Sequence, residues 1–184
     1  MSINTKKMVL AAMFLALGMV LPFATMQVPT IGNMLLPMHL PVLLCGFICG
    51  ASYGAVIGFA MPLLRSVMFG MPVLMPTAIT MSLELLFYGL MAGVLYGVFK
   101  NKRFGIYLSL IPAMLIGRIA WGITAFIVYN IIGIRFTWHI FFAQAFVKAV
   151  PGIVIQLVLI PVIVIALRKM NLEVSENNER TISD

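Results

Sequence analysis

"PTAITMSLELLFYGLMAGVLYGVF", residues 76–99, runs for 24 residues with a single charged side chain, Glu84. A helix needs roughly 20 apolar residues to cross about 30 Å of hydrocarbon, so the stretch reads as a membrane span. The carboxylate within it is the exception, because a bilayer makes such a group costly. The rest of the chain has the same character: 62% of its 184 residues are hydrophobic and 9% are charged, with a mean hydropathy of +1.11. A soluble domain of that composition would expose large apolar patches. The formal charge of +7 does not point to nucleic acid, since the basic residues mostly sit at the ends of apolar runs and act as topology signals. No nucleic-acid partner is expected.

Working outward from this span, five others are predicted at Met8–Leu21, Met38–Cys49, Tyr53–Phe69, Phe104–Ile131 and Ile140–Leu167. The first follows Lys6 and Lys7 without a small-residue cleavage pattern and is read as a retained span. The second is short and interrupted by proline. Lys6, Lys7, Lys100, Lys102, Arg103, Arg168 and Lys169 then fall on one side, against Arg135 alone in the opposite loops. By the positive-inside rule both termini are cytoplasmic. The expectation is an all-α, multi-pass protein of the cell membrane: six transmembrane helices in a compact bundle over residues 1–170. Residues 171–184, "NLEVSENNERTISD", form a polar cytoplasmic tail without apolar periodicity.

Small residues indicate how the helices meet. Gly46, Gly50, Gly54 and Gly58 recur every four residues, as do Gly89, Gly93 and Gly97, and such ridges let backbones approach closely in lipid. "AMFLA" places Ala12 and Ala16 one turn apart on the first helix, a flat strip for another helix, internal or from a partner. Two outer connections are rich in proline. "LPFATMQVPTIGNMLLPMHLP" holds Pro22, Pro29, Pro37 and Pro41 with Gln27 and Asn33 between them, and "FGMPVLMPTA" holds Pro72 and Pro76. Irregular backbone at membrane depth is tolerated only against protein or a wet cavity, so these loops are candidate lids over an outward-facing site.

Arg65, Glu84, Arg118 and Lys148 lie inside spans, with His39 near an outer end. Counted at 1.5 Å per residue from the outer helix ends, Glu84 and Lys148 are ~12 Å deep, Arg65 ~6 Å and Arg118 ~20 Å. Depth therefore makes Lys148 the expected partner of Glu84, since a lone carboxylate in hydrocarbon protonates. About two positive charges would then remain unmatched, a surplus that an anionic ligand relieves. The alternative for Arg65 and Lys148 is that they bond backbone carbonyls or reach the interface. Trp121, one turn after Arg118 in "GRIAWG", together with Tyr129, Asn130 and His139, offers aromatic walls and donors suited to a small-molecule pocket.

Other chemistries lack their motifs. There is no GxxxxGK[ST] phosphate loop, so ATP is not used by this chain through that route. Cys45 and Cys49 have no second Cys or His pair beside them, and His39 and His139 lie far apart without HExxH, so no metal site is expected. No GxSxG elbow is present. No catalytic residue and no resident cofactor are assigned.

The segment from Leu36 to Gly97, above all "LPMHLPVLLCGF", "PLLRS", "FGMP", "PTA" and "LELLFYG", resembles the substrate-binding S components of energy-coupling factor (ECF) vitamin transporters, in their pantothenate-type branch. "AMFLA" is similar to the strip with which S components dock onto the coupling protein, which would assign that role to Ala12 and Ala16. The resemblance implies a bundle that binds one vitamin in its outer half. The partners it implies are a transmembrane coupling subunit and two ATPase subunits, which use the ATP, and the loaded bundle is expected to topple in the membrane. The substrate-binding candidates are Gln27, Asn33, His39, Arg65, Glu84, Arg118, Trp121, Asn130 and Lys148. Alternatives within this class are pyridoxine, hydroxymethylpyrimidine or dimethylbenzimidazole. A different class, a small integral-membrane enzyme acting on an anionic lipid phosphate, would use the same cations as a clamp and Glu84 or a histidine as base.

Overall fold

The computed structural model describes residues 3–24, 34–135, 137–147 and 149–169. Among them the elements are all helical: α1 (Ile3–Ala24), α2 (His39–Cys49), α3 (Ala51–Phe69), α4 (Ile79–Phe99), α5 (Gly105–Ile131), α6 (Trp138–Phe142) and α7 (Val150–Lys169). Five stretches are long and apolar enough to cross a membrane: Thr5–Phe23, Ala51–Phe69, Leu74–Phe99, Gly105–Ile131 and Val150–Lys169. α2 has 11 residues, about 16 Å at helical rise, so the second expected span, Met38–Cys49, falls well short of the hydrocarbon thickness. The sixth predicted span, Ile140–Leu167, is also broken. α6 ends at Phe142, a wide turn covers Ala143–Val147, and a new helix begins at Val150. Pro151 explains the restart, since a proline suits a helix's first turn and has no N–H for its interior. The tail 171–184 and the loop positions Gln27 and Asn33 lie outside the described residues.

Punctuation in the sequence fixes the connections. α2 passes into α3 through Gly50 alone, at φ 98° and ψ 173°, a backbone conformation essentially confined to glycine. α3 stops at left-handed Gly70, whose N–H donates to the Ser66 carbonyl. Met75 precedes Pro76 and is extended, at φ −116° and ψ 132°, as the proline ring demands of its neighbour. α4 therefore starts at Ile79, three residues later than the apolar run suggested.

The glycine ladders are the contact between α3 and α4. A Cβ on Gly89 would lie 2.2 Å from the Gly54 carbonyl oxygen, one on Gly58 2.2 Å from the Leu85 carbonyl oxygen, and one on Gly93 2.3 Å from the Ala51 nitrogen. These pairs run in opposite senses along the two helices, so α3 and α4 are antiparallel with backbones touching. α2 lies parallel to α4: Gly46 meets Gly89, and Phe47 meets Tyr96 at 4.9 Å between ring centroids. α7 is parallel to α2, because Gly152 packs on the backbone of Met34 and Leu35 while Arg168 lies over the ring of Tyr96. Gly18 against Met61 and Phe23 against Phe69 make α1 parallel to α3. Lys6, the 100–103 turn and Arg168 consequently share one end of the bundle, called here the basic end. The core at this end and through the middle is apolar, built on Val42, Leu43, Phe47, Met61, Leu85 and Ile160.

Candidate functional site

Glu84 sits on α4 about 22 Å from the basic end, counting 15 residues to Phe99. It is 2% exposed. Its Oε1 lies 2.9 Å from Arg118 Nη1 on α5 and 3.2 Å from His39 Nε2 at the start of α2. Three helices thus bring one acid, one permanent cation and one imidazole to a single point. Lys148, the partner expected by depth, lies outside the described residues; the partners the structure gives Glu84 are Arg118 and His39. Arg118 reaches Glu84 because α5 is 27 residues long, about 40 Å, and its far end projects beyond α4, so counting from Ile131 overstated its depth.

Two residues without charge complete the cluster. Tyr88, one turn after Glu84 on the same face of α4, is buried with its ring edge-on to His39 at 5.0 Å and 87°. Its ring occupies the space beside Gly117, where a Cβ would come within 2.1 Å. Gln156 on α7 is 1% exposed. It lies one turn beyond Gly152, which packs on the Met34 and Leu35 backbone just ahead of α2, so the parallel packing of α2 and α7 carries Gln156 toward the level where α2 begins.

These side chains are held together yet left unsatisfied. Both ring nitrogens of His39, Glu84 Oε1, the Tyr88 hydroxyl, Arg118 Nε and Nη2, and both polar atoms of the Gln156 amide are buried without a hydrogen bond. The contacts of Glu84 with His39 and Arg118 are close enough for charge attraction, but their angles leave these groups short of hydrogen bonds. Each buried orphan costs roughly 1–3 kcal/mol, and more when charged. A concentration of them in one layer, beside an otherwise apolar core, marks groups positioned for something that supplies the missing partners.

The remaining candidates are placed elsewhere. Arg65 is buried on α3, but its Nη1 donates to the Met19 carbonyl and its guanidinium stacks between Phe23 at 4.8 Å and Phe69 at 5.3 Å. Pro22 has no N–H for the Gly18 carbonyl, and the Arg65 guanidinium lies against the neighbouring Met19 carbonyl in the same turn of α1. The expected surplus of positive charge around Glu84 is therefore absent among the described residues: Arg118 is balanced by Glu84, and Arg65 serves α1. Trp121 is buried one turn from Arg118 and stacks on Phe141 at 6.0 Å. Asn130 is exposed near the end of α5 and donates to the Phe126 carbonyl at 2.6 Å. A groove of 680 Å³ beside it, lined by Gly122, Phe126, Thr137, Trp138 and Phe141 among others, is walled almost wholly by apolar groups. Sequence reasoning missed Tyr88 and Gln156. The signal was present in both: a phenol one turn from the buried acid, and an amide within the apolar run of α7.

Fold and site together define an integral membrane protein, a helical bundle that buries a polar site in the half away from its basic end. The chain belongs to the family described as "ECF transporter, substrate-specific component", whose model matches residues 6–167. Searches of curated proteins and of solved structures give no match. The chain is accordingly the substrate-specific component of a membrane transporter and a multi-pass protein of the cell membrane. Components of this kind bind small-molecule substrates and work with a coupling subunit and ATPases.

Proposed function

We propose that the chain captures pantothenate from outside the cell and releases it to the cytoplasm, the carboxylate being held by Arg118. The observation that carries this reading is the buried guanidinium that uses Nη1 on Glu84 and leaves Nε and Nη2 free. Those two nitrogens form one edge of the planar fork, the geometry that takes a carboxylate through two parallel bonds. His39, Tyr88 and Gln156 add neutral hydrogen-bonding groups for an amide and hydroxyls, and Trp121 adds an apolar wall. The likeness of "LPMHLPVLLCGF" and "LELLFYG" to the pantothenate-type branch favours this vitamin. Arg65, whose Nη1 donates to the Met19 carbonyl, and Asn130, whose amide donates to the Phe126 carbonyl, are not assigned to the ligand in this reading. Gln27, Asn33 and Lys148 lie outside the described residues and enter the reading only as candidates from the sequence. Equilibrium dialysis of radiolabelled pantothenate against the purified chain in nanodiscs, alongside native mass spectrometry of the molecule that co-purifies, tests it. Saturable one-to-one binding is expected; a co-purifying cation or purely neutral heterocycle, with no pantothenate binding, would refute it.

In this reading the basic end is cytoplasmic by the positive-inside rule, and the bundle topples as one body while docked on the coupling subunit and two ATPases. The docking strip is on α1, where Met8, Ala12, Ala16 and Val20 recur every four residues and all point away from the bundle. Ala12→Trp is expected to abolish uptake in cells that hold the complete transporter while pantothenate binding by the purified variant stays within about twofold, because the strip lies far from Arg118. Loss of both properties together would contradict the separation of docking from binding.

A further inference from the structure

Charge balance in the buried cluster has a chemical consequence when an anion arrives. With the imidazole neutral, Glu84 and Arg118 cancel. An added carboxylate on Arg118 Nε and Nη2 gives the layer two negative charges against one positive, in surroundings where an unmatched ion is strongly disfavoured. His39 is the group placed to correct this. It is 1% exposed, its Nε2 is 3.2 Å from Glu84 Oε1, and its Nδ1 has no partner at all.

From this geometry we infer that binding of the anionic vitamin takes up one proton from solvent, held on the His39 imidazole. This rests on the reading of Arg118 given above. The balance is simple: one carboxylate and one proton enter together, the imidazole gains its second N–H, and the layer stays neutral. One N–H of the imidazolium then faces Glu84 and the other is left for the ligand. No other described group is placed to substitute. On α4 the imidazole meets Glu84 and Tyr88; Arg118 of α5 is on the same Glu84 oxygen, and the buried polar residue of α7, Gln156, does not titrate. The one charged residue of α3, Arg65, is tied to Met19 and two phenylalanines. On α1, Lys6 and Lys7 lie toward the basic end, as do Cys45 and Cys49 further along α2. Lys148 lies outside the described residues, and the experiment tests its claim as well, since a lysine already charged would neutralise the anion without any proton.

The sign follows from linkage. The loaded protein holds one proton more than the empty protein, so raising pH favours the empty state, and Kd is expected to rise with pH by up to tenfold per unit. Isothermal titration of the full chain in nanodiscs with sodium pantothenate, in phosphate and in Tris at one pH, reads the proton count from the difference in heats. About one proton taken up by the wild type, none by His39→Gln, and none when the wild type binds the neutral alcohol analogue of the vitamin, is the expected pattern. Should His39→Gln not fold, the ring ¹⁵N resonances of the wild type answer instead, with one of the two histidines becoming doubly protonated on loading. Tight binding without proton uptake, or uptake that persists in His39→Gln, overturns the inference while leaving Arg118 as the anion site. Absence of any pantothenate binding removes the reading beneath it and the inference with it.

Discussion

Arg118→Met is expected to abolish pantothenate binding and to destabilise the bundle, whereas Arg118→Met combined with Glu84→Gln is expected to restore the fold and not the binding. Removing one partner of a buried ion pair leaves the other uncompensated, at a cost of about 3–5 kcal/mol. Glu84 is buried at 2% exposure, and its remaining neighbour is an imidazole that carries charge only when protonated. Neutralising Glu84 in the same molecule removes that penalty. The ligand loses its charge partner in both variants, which corresponds to about 2–5 kcal/mol for a desolvated pair, or roughly a 30-fold to several-thousand-fold rise in Kd. Thermal unfolding followed by tryptophan fluorescence, together with dialysis of the vitamin, separates the two effects. A double variant that binds as the wild type does would show that the carboxylate is held elsewhere.

The second large effect is predicted for Gly89→Leu. A Cβ there meets the Gly54 carbonyl oxygen at 2.2 Å and its carbon at 2.4 Å, and both are backbone atoms that cannot swing aside. α3 and α4 must separate, and with them Gly46 of α2, which rests on the same Gly89 carbonyl. The loss is expected at or above the upper end of the roughly 1–3 kcal/mol seen for overpacked interiors. Because Glu84 lies just over one turn away on α4, binding is lost as well. Gly97 belongs to the same sequence ladder but has nothing within 4 Å of its would-be Cβ. Gly97→Ala is therefore expected to be neutral or slightly stabilising, as Gly to Ala is on an exposed helix face. Equal melting temperatures for Gly89→Leu and the wild type would mean that the two helices do not touch at this point.

The contrast between these two glycines illustrates what the sequence could and could not convey. Four-residue spacing announces a close helix contact because lipid leaves small residues to provide the packing, but it does not say where the partner helix ends. Glu84 was recognisable as a buried charge for a similar reason: nothing in a 24-residue apolar run can hydrate it. Its partners were not. Depth counted from helix ends separated it from Arg118 by ~8 Å, an artefact of the unequal lengths of α4 and α5. The same count favoured Lys148. His39 was legible only as a candidate near the outer end, and the one-residue turn at Gly50 is what returns the chain so that α2, α3 and α4 pack together. Tyr88 and Gln156 carry no charge and so escaped a search directed at charges, although an amide or phenol buried in hydrocarbon raises the same question of partners. Arg65 drew attention as a ligand-binding cation, and spacing alone does not reveal its contacts with the Met19 carbonyl and the rings of Phe23 and Phe69.

The most direct test is a structure of the vitamin-loaded protein in a lipid nanodisc, determined at a resolution that places the ligand's carboxylate. That carboxylate is expected at about 3 Å from Arg118 Nε and Nη2, with Glu84 still on Nη1 and the His39, Tyr88 and Gln156 groups around the rest of the molecule. Ligand density elsewhere in the bundle, with Arg118 contacting Glu84 alone, would contradict it.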